Sequence, residues 1–170
     1  MIKARLSLFF IFILFIVYSC VKQDESINGT IVINELMPVN SSVVADQNGE
    51  FDDWIELFNK SSVPVNLSGY FLTDSKKNLL KWKLPAGTSI AANGYLIVWA
   101  DGDTTQSGLH TNFKLSSLGE NVLLLKPDHT IIDKVEYPGQ TIQLSYSRRP
   151  NGTGTFIWQA PTFNASNDRY

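Results

Sequence analysis

Between Asp46 and Asp53 the chain reads Asp-Gln-Asn-Gly-Glu-Phe-Asp-Asp. This sets oxygen-bearing side chains at alternate positions, Asp46, Asn48, Glu50 and Asp52, around the single glycine Gly49. A hard cation wants such a run: calcium gathers roughly six to eight oxygens in an irregular shell, and glycine lets the backbone fold tightly around it. The segment is not an EF-hand, because no helical periodicity flanks it and its last acidic residue falls at the wrong spacing. Glu35 and Glu56 lie on the first two strands read below and would add ligands if those strands are neighbours. Asp101-Gly102-Asp103 offers the same chemistry in shorter form. The competing reading is turn chemistry alone, with Asx side chains accepting from backbone two residues on. From sequence both readings stay open: a bound Ca²⁺, or a loop that requires no cofactor.

A different chemistry is written at the start of the chain. Lys3 and Arg5 precede an almost unbroken apolar run, Leu6–Tyr18, which ends at the small residue Ser19 before Cys20, the sole cysteine. Basic, apolar and small, in that order, is a secretory signal, and the run falls short of the roughly 20 residues a helix needs to span a bilayer. Val17-Tyr18-Ser19-Cys20 resembles the lipobox of bacterial lipoproteins, in which cleavage before the cysteine is coupled to lipid attachment on its thiol. Several acyl chains hold a protein firmly at a membrane where one does so only marginally. The following Val21-Lys22-Gln23-Asp24-Glu25-Ser26 resembles the export tag that sends some lipoproteins of the Bacteroidetes group to the outer face of the outer membrane, and reads equally well as a solvated tether.

Composition narrows the rest. Loss of residues 1–19 leaves about 150 residues, room for one domain with its own core. The net charge of −2 becomes more negative when Lys3 and Arg5 depart. Lys76-Lys77, Lys81/Lys83 and Arg148-Arg149 are pairs without a wider basic field, so no nucleic-acid partner is expected. With Cys20 committed to lipid, the domain has no disulfide, no thiolate zinc site and no cysteine nucleophile. Trp54, Trp82, Trp99 and Trp158 could stack on sugar rings. Trp54 and Trp99 read instead as core, and Trp82 stays open between Lys81 and Lys83.

The elements that must position these groups are strands. From Thr30 onward the pattern is short apolar runs or period-two alternation, broken at short intervals by Gly, Pro, Asn and Asp. Strands are expected at 30–36, 53–58, 70–73, 79–84, 95–100, 121–125, 130–137, 141–147 and 155–158. Residues 63–67 are confined to an edge or an irregular crossing by Pro64. Tyr95–Ala100 and Asn121–Leu125 are apolar on both faces and are expected to be central. On the second strand Trp54, Glu56 and Phe58 share one face. A carboxylate placed there needs a partner if buried, for which Arg148 or Arg149 is the candidate. The pattern is that of an all-β sandwich or barrel. Its organisation reads as a signal peptide at 1–19, a lipidated flexible tether at 20–29, the domain at 30–167 and a tail at 168–170. The polar end from Asn164 is expected to fray.

Several strings in register resemble the lamin tail domain: Ile33-Asn34-Glu35-Leu36, Asp53-Trp54-Ile55-Glu56-Leu57-Phe58-Asn59, Val65-Asn66-Leu67-Ser68-Gly69-Tyr70, Leu72-Thr73-Asp74 and Leu84-Pro85-Ala86-Gly87-Thr88. They continue with Leu109-His110-Thr111-Asn112-Phe113-Lys114-Leu115-Ser116, Gly119-Glu120, Ile132-Asp133-Lys134-Val135 and Ser147-Arg148-Arg149-Pro150-Asn151-Gly152. The resemblance implies an immunoglobulin-like β-sandwich. One departure stands out: where bacterial members end Thr-Pro-Gly-x-x-Asn, this chain has Thr162-Phe163-Asn164-Ala165-Ser166-Asn167. Within the family string, His110 reads as a side chain tying down its loop, and His129 as a solvated turn residue. No nucleophile has a partner that sequence nominates. The expected function is a non-catalytic, membrane-anchored binding module on the outer membrane, exposed on the cell surface, whose partner is an envelope protein or a glycan. The alternatives are an accessory domain of a secreted hydrolase system and a calcium-stabilised glycan-binding domain.

Overall fold

A computed structural model describes residues 29–140 and 143–169. The expected signal peptide, Cys20 and the tether up to residue 28 lie outside the described residues. The strands are β1 (Ile31–Met37), β2 (Trp54–Asn59), β3 (Val65–Asn66), β4 (Phe71–Thr73), β5 (Trp82–Lys83), β6 (Ser89–Ile90), β7 (Tyr95–Trp99), β8 (Gly119–Leu125), β9 (Ile131–Pro138), β10 (Ser145–Arg149) and β11 (Thr155–Gln159). A single 3₁₀ turn, Asn167–Arg169, is the only helical element among the described residues. One sheet has the order β11-β10-β1-β2-β7 and a second the order β5-β4-β8-β9, with β3 and β6 forming a short separate pair. Every strand pairing is antiparallel. The fold is an all-β, immunoglobulin-like sandwich, as the alternation and the family resemblance both imply.

The core forms where the inward faces of both sheets meet. Ile31, Ile33 and Leu36 of β1, Ile55 and Leu57 of β2 and Val98 of β7 join Leu72, Trp82, Val122, Leu124, Val135 and Tyr137 of the other sheet in one buried cluster. β9 alternates as a strand with one wet face should, Val135 and Tyr137 inward, Lys134 and Glu136 outward. β1 does not alternate cleanly: a bulge lies between Ile33 and Glu35. The extra residue, Asn34, turns Leu36 back to the core and sends Glu35 to the opposite face beside Glu56.

That opposite face is also dry. Met37, Trp54 and Trp99 lie in register across β1, β2 and β7 and form a second buried cluster, with Phe163 packed against them. The covering layer is the C-terminal segment, so residues 164–169 do not fray: Ala165 and Asn167 are buried and the chain is bonded down through Asp168. Tyr95–Trp99 is likewise corrected. It is covered on both faces, as its composition required, but sits at the sheet's edge rather than its centre, because its second cover is the tail. The expected strand at 79–84 shrinks to Trp82–Lys83, and Val65–Asn66 lies in the small outlying pair that Pro64 allows.

Candidate functional site

The loop from Pro38 to Asp53 joins β1 to β2, and its shape is set by two side chains. Asn40 is buried; its amide donates to the carbonyls of Val44 (2.6 Å) and Asp52 (2.8 Å), while its oxygen accepts from Val43 N–H (3.1 Å). One carboxamide thus clamps both arms of the loop. At the tip, Asp46 Oδ1 accepts from the backbone N–H groups of Asn48 (2.8 Å) and Glu50 (2.9 Å), and Asp46 N–H donates to Glu50 C=O (2.8 Å). Gly49 turns the chain at φ +86°, where an L side chain is strained. The turn-chemistry reading is therefore realised, by one of the two oxygens of Asp46.

The tip docks on a second loop, running from Asp101 to Ser116. Gln106 Nε2 donates to Glu50 Oε2 (2.7 Å), and Asn48 Nδ2 donates to Gln106 Oε1. Gln47 Nε2 donates to Ser107 C=O and lies 2.7 Å from His110 Nε2. A carboxamide nitrogen can only donate, so His110 Nε2 accepts and its Nδ1 carries a proton toward Asp101 Oδ2, 2.7 Å away. Both ring nitrogens are thereby engaged. The imidazole is buried and stacks on Trp99. His110 does tie down its loop, through Asp101 on one side and Gln47 on the other.

Three of the four loop residues read as metal ligands converge. One carboxylate oxygen from each of Asp46, Glu50 and Asp52 lies within 4.8 Å of the others. Asn48 is adjacent, its amide turned to Gln106. Glu50 and Asp52 line a pocket of about 240 Å³ together with Asp101, Asp103, Gln106 and Lys114. Asp101-Gly102-Asp103, the weaker motif, thus adjoins the stronger one; Gln47, Gln106 and Lys114 carried no sequence signal. Asp52 is raised above the usual carboxylate range, first by burial and then by Asp101, Asp46 and Glu50. Two oxygens, Asp46 Oδ2 and Asp52 Oδ2, are buried without a hydrogen-bond partner. Such an arrangement can hold a hard cation.

Glu35 and Glu56 are strand neighbours, as the reading required, but they do not join this cluster. Both are wholly buried beneath the C-terminal segment. Glu35 accepts from Ser145 Oγ and from Thr162 N–H (2.9 Å) and Oγ1 (2.6 Å). Glu56 accepts from Asn34 Nδ2 (2.9 Å) and Asn164 N–H (2.6 Å). The expected Arg148 or Arg149 partner is thereby corrected: Arg148 reaches the other sheet instead, where its Nη2 donates to both oxygens of Asp133 (2.9 and 3.0 Å). The bulge explains the exchange, since it hands Glu56 a nearby amide from Asn34 that no alternation rule anticipates.

Other candidates resolve as packing. Trp54, Trp82 and Trp99 are buried and leave no indole platform for a sugar, while Trp158 packs against Tyr146. His129 stands edge-on to Phe71 in its turn. Among the described residues neither imidazole is hydrogen-bonded to a serine or threonine hydroxyl. Lys76, Lys81 and Arg148 are each paired with a carboxylate, Glu136, Asp74 and Asp133.

A family model described as Lamin Tail Domain matches residues 25–139, well over half of the chain. β10 and β11 lie beyond the match yet complete the first sheet, β10 pairing directly with β1. No curated protein matches the chain.

Proposed function

The chain belongs to the lamin tail domain family, a family of non-catalytic immunoglobulin-like domains, and from that premise we propose a lipid-anchored, non-catalytic interaction module of the bacterial envelope. The single observation that carries the anchor is the order of Lys3, Arg5, Leu6–Tyr18, Ser19 and Cys20. Lipid on Cys20 holds the domain in the outer membrane, and residues 21–28 set the sandwich off from the bilayer. The acidic Asp24-Glu25 in that leader supports display on the cell surface. Binding falls to the loops at the ends of the sandwich, where a rigid scaffold presents variable side chains to an envelope protein or a glycan.

The test is cell fractionation followed by proteinase treatment of intact cells. The wild-type chain should sediment with outer membranes and lose its domain to the proteinase, whereas Cys20→Ala should leave the membrane fraction. Sedimentation of Cys20→Ala with membranes would refute the anchor. Protection of the wild type equal to that of a periplasmic control would refute surface display.

A further inference from the structure

We propose that Asp46, Glu50 and Asp52 form a calcium site that fixes the tip of the β1–β2 loop where it packs on the 101–116 loop. The proximity of three acidic residues would not carry this alone, since exposed carboxylates cluster often. The decisive feature is what the cluster does with its oxygens. Asp46 is only 9 % exposed. One of its oxygens is consumed by the loop's own backbone, and the other, Oδ2, meets neither solvent nor donor. Asp52 Oδ2 is stranded in the same way. Buried polar atoms are almost always paired, and a buried carboxylate oxygen without a partner is among the costliest to leave so. Here two such oxygens belong to residues whose carboxylates converge within 4.8 Å, with Glu50 completing the set.

A proton could relieve one of them, but a cation relieves both and the mutual repulsion as well. Asp101 and Asp103 line the adjoining pocket beside Lys114, so its carboxylates, with Glu50 and Asp52, outnumber its one ammonium. The donor set selects the ion. All three ligands are carboxylates, and the nearest imidazole, His110, has both nitrogens engaged by Asp101 and Gln47, so zinc and other nitrogen-seeking ions lack their preferred donors. Calcium accepts irregular shells of carboxylates and waters, and a pocket of about 240 Å³ leaves room for waters beside the protein oxygens. Magnesium demands near-octahedral geometry and sheds its water reluctantly. Asn48 stays outside the ligand set, bracing Gln106, which in turn holds Glu50. The ion thus closes the tip of the β1–β2 loop, the same tip that Gln106, Ser107 and His110 hold by hydrogen bonds. This inference stands independently of the lipid anchor.

The test is thermal unfolding of the full chain in detergent, stripped with chelator, against calcium alone and magnesium alone. A ligand that binds only the native state stabilises by RT ln(1 + [L]/Kd), so calcium about a hundredfold above Kd should raise Tm by several degrees, reversibly with EDTA. Magnesium at the same concentration should shift it less. Asp46→Asn with Asp52→Asn should melt at the same temperature with and without calcium. If that pair fails to fold, the exposed Glu50 decides: Glu50→Gln should move the calcium midpoint to at least several-fold higher concentration. No shift with calcium overturns the proposal. So does an equal shift with both ions, a shift that survives in the double variant, or an unchanged midpoint in Glu50→Gln.

Discussion

Glu35 and Glu56 stand opposite one another in register across β1 and β2, both wholly buried, and among the described residues neither has a cationic partner. Two carboxylates so placed cannot both ionise cheaply, and burial pushes each above its ordinary range, Glu56 up to about 8. Their partners are polar and neutral. Ser145 and Thr162 serve Glu35, while Asn34 and the N–H of Asn164 serve Glu56. The C-terminal segment is therefore held on the sheet by hydrogen bonds to a pair of acids whose burial favours the protonated form.

This pair makes stability depend on pH in the sense opposite to a salt-bridged carboxylate. An unfolded glutamate loses its proton near 4.5, whereas folded Glu56 keeps its own up to about 8. Over that window the native state binds more protons, so the contribution is fully present below the unfolded value and is lost as pH rises through the folded one. The groups facing Glu56 are Glu35 on β1 and the Tyr95 phenol on β7, itself raised mainly by burial; neither reverses the sign. Melting curves in chelator should show Tm falling between pH 5 and pH 8.5, and Glu56→Gln should flatten that slope. A wild-type slope that is flat or rising, or one unchanged in the variant, would contradict the assignment.

Asn167 should prove the residue on which the tail depends. Its Nδ2 donates to the carbonyls of Asn34 and Arg148 (both 3.0 Å), its Oδ1 lies 2.8 Å from Thr162 Oγ1, whose one proton it shares with Glu35, and its N–H donates to Asn151 Oδ1 (3.0 Å). Asn167→Ala strands buried carbonyls, each costing about 1–3 kcal/mol. Urea unfolding should therefore show a loss of about 2–4 kcal/mol, whereas Asp168→Ala, on an exposed contact, should lose less than about 1 kcal/mol. Equal effects would place the tail's stability elsewhere.

Arg148 joins the sheets in a way lysine cannot copy. Its Nη2 meets Asp133 on β9, its Nε donates to Ile33 C=O (2.9 Å), and Asp133 Oδ2 accepts from Ile33 N–H (2.8 Å). Both backbone groups of Ile33 are thereby satisfied by side chains, one from each sheet, with the guanidinium lying over Phe156 at 4.5 Å. A single ammonium cannot donate to Ile33 and Asp133 with a fixed fork. Arg148→Lys should cost about 1–3 kcal/mol in denaturant unfolding. A loss below about 0.5 kcal/mol would contradict the staple.

Much of this was legible in the chain. Alternation and turn residues located the strands because half-buried strands must alternate, and the family strings gave the sandwich. Asp46-x-Asn-Gly-Glu-x-Asp announced three groups that do converge. What escaped was set by contacts distant in sequence. Tyr95–Trp99 looks central because both its faces are covered, yet one cover is Phe163, more than sixty residues on. The apparent need of Glu56 for an arginine vanished because a one-residue bulge supplied Asn34. Where bacterial members carry Pro-Gly in the last turn, this chain places Phe163 and Asn164. Phe163 takes φ 30° and Asn164 φ 56°, and asparagine tolerates the left-handed region best after glycine. Phe163 in turn gives the tail a ring to pack edge-on against Trp54 at 5.2 Å. Gln47 and Gln106 belong to no pattern, since a single carboxamide that braces a loop leaves no periodic trace.

Anchoring at the membrane stands or falls with Cys20. Cells producing the full chain, fed an alkyne fatty acid, should yield a labelled protein whose intact mass corresponds to a chain beginning at Cys20 with acyl groups attached. Cys20→Ala should carry no label. A wild-type chain that retains Met1–Ser19, or that begins at Cys20 with a free thiol and no label, would contradict the anchored module, as would a Cys20→Ala chain that is still labelled.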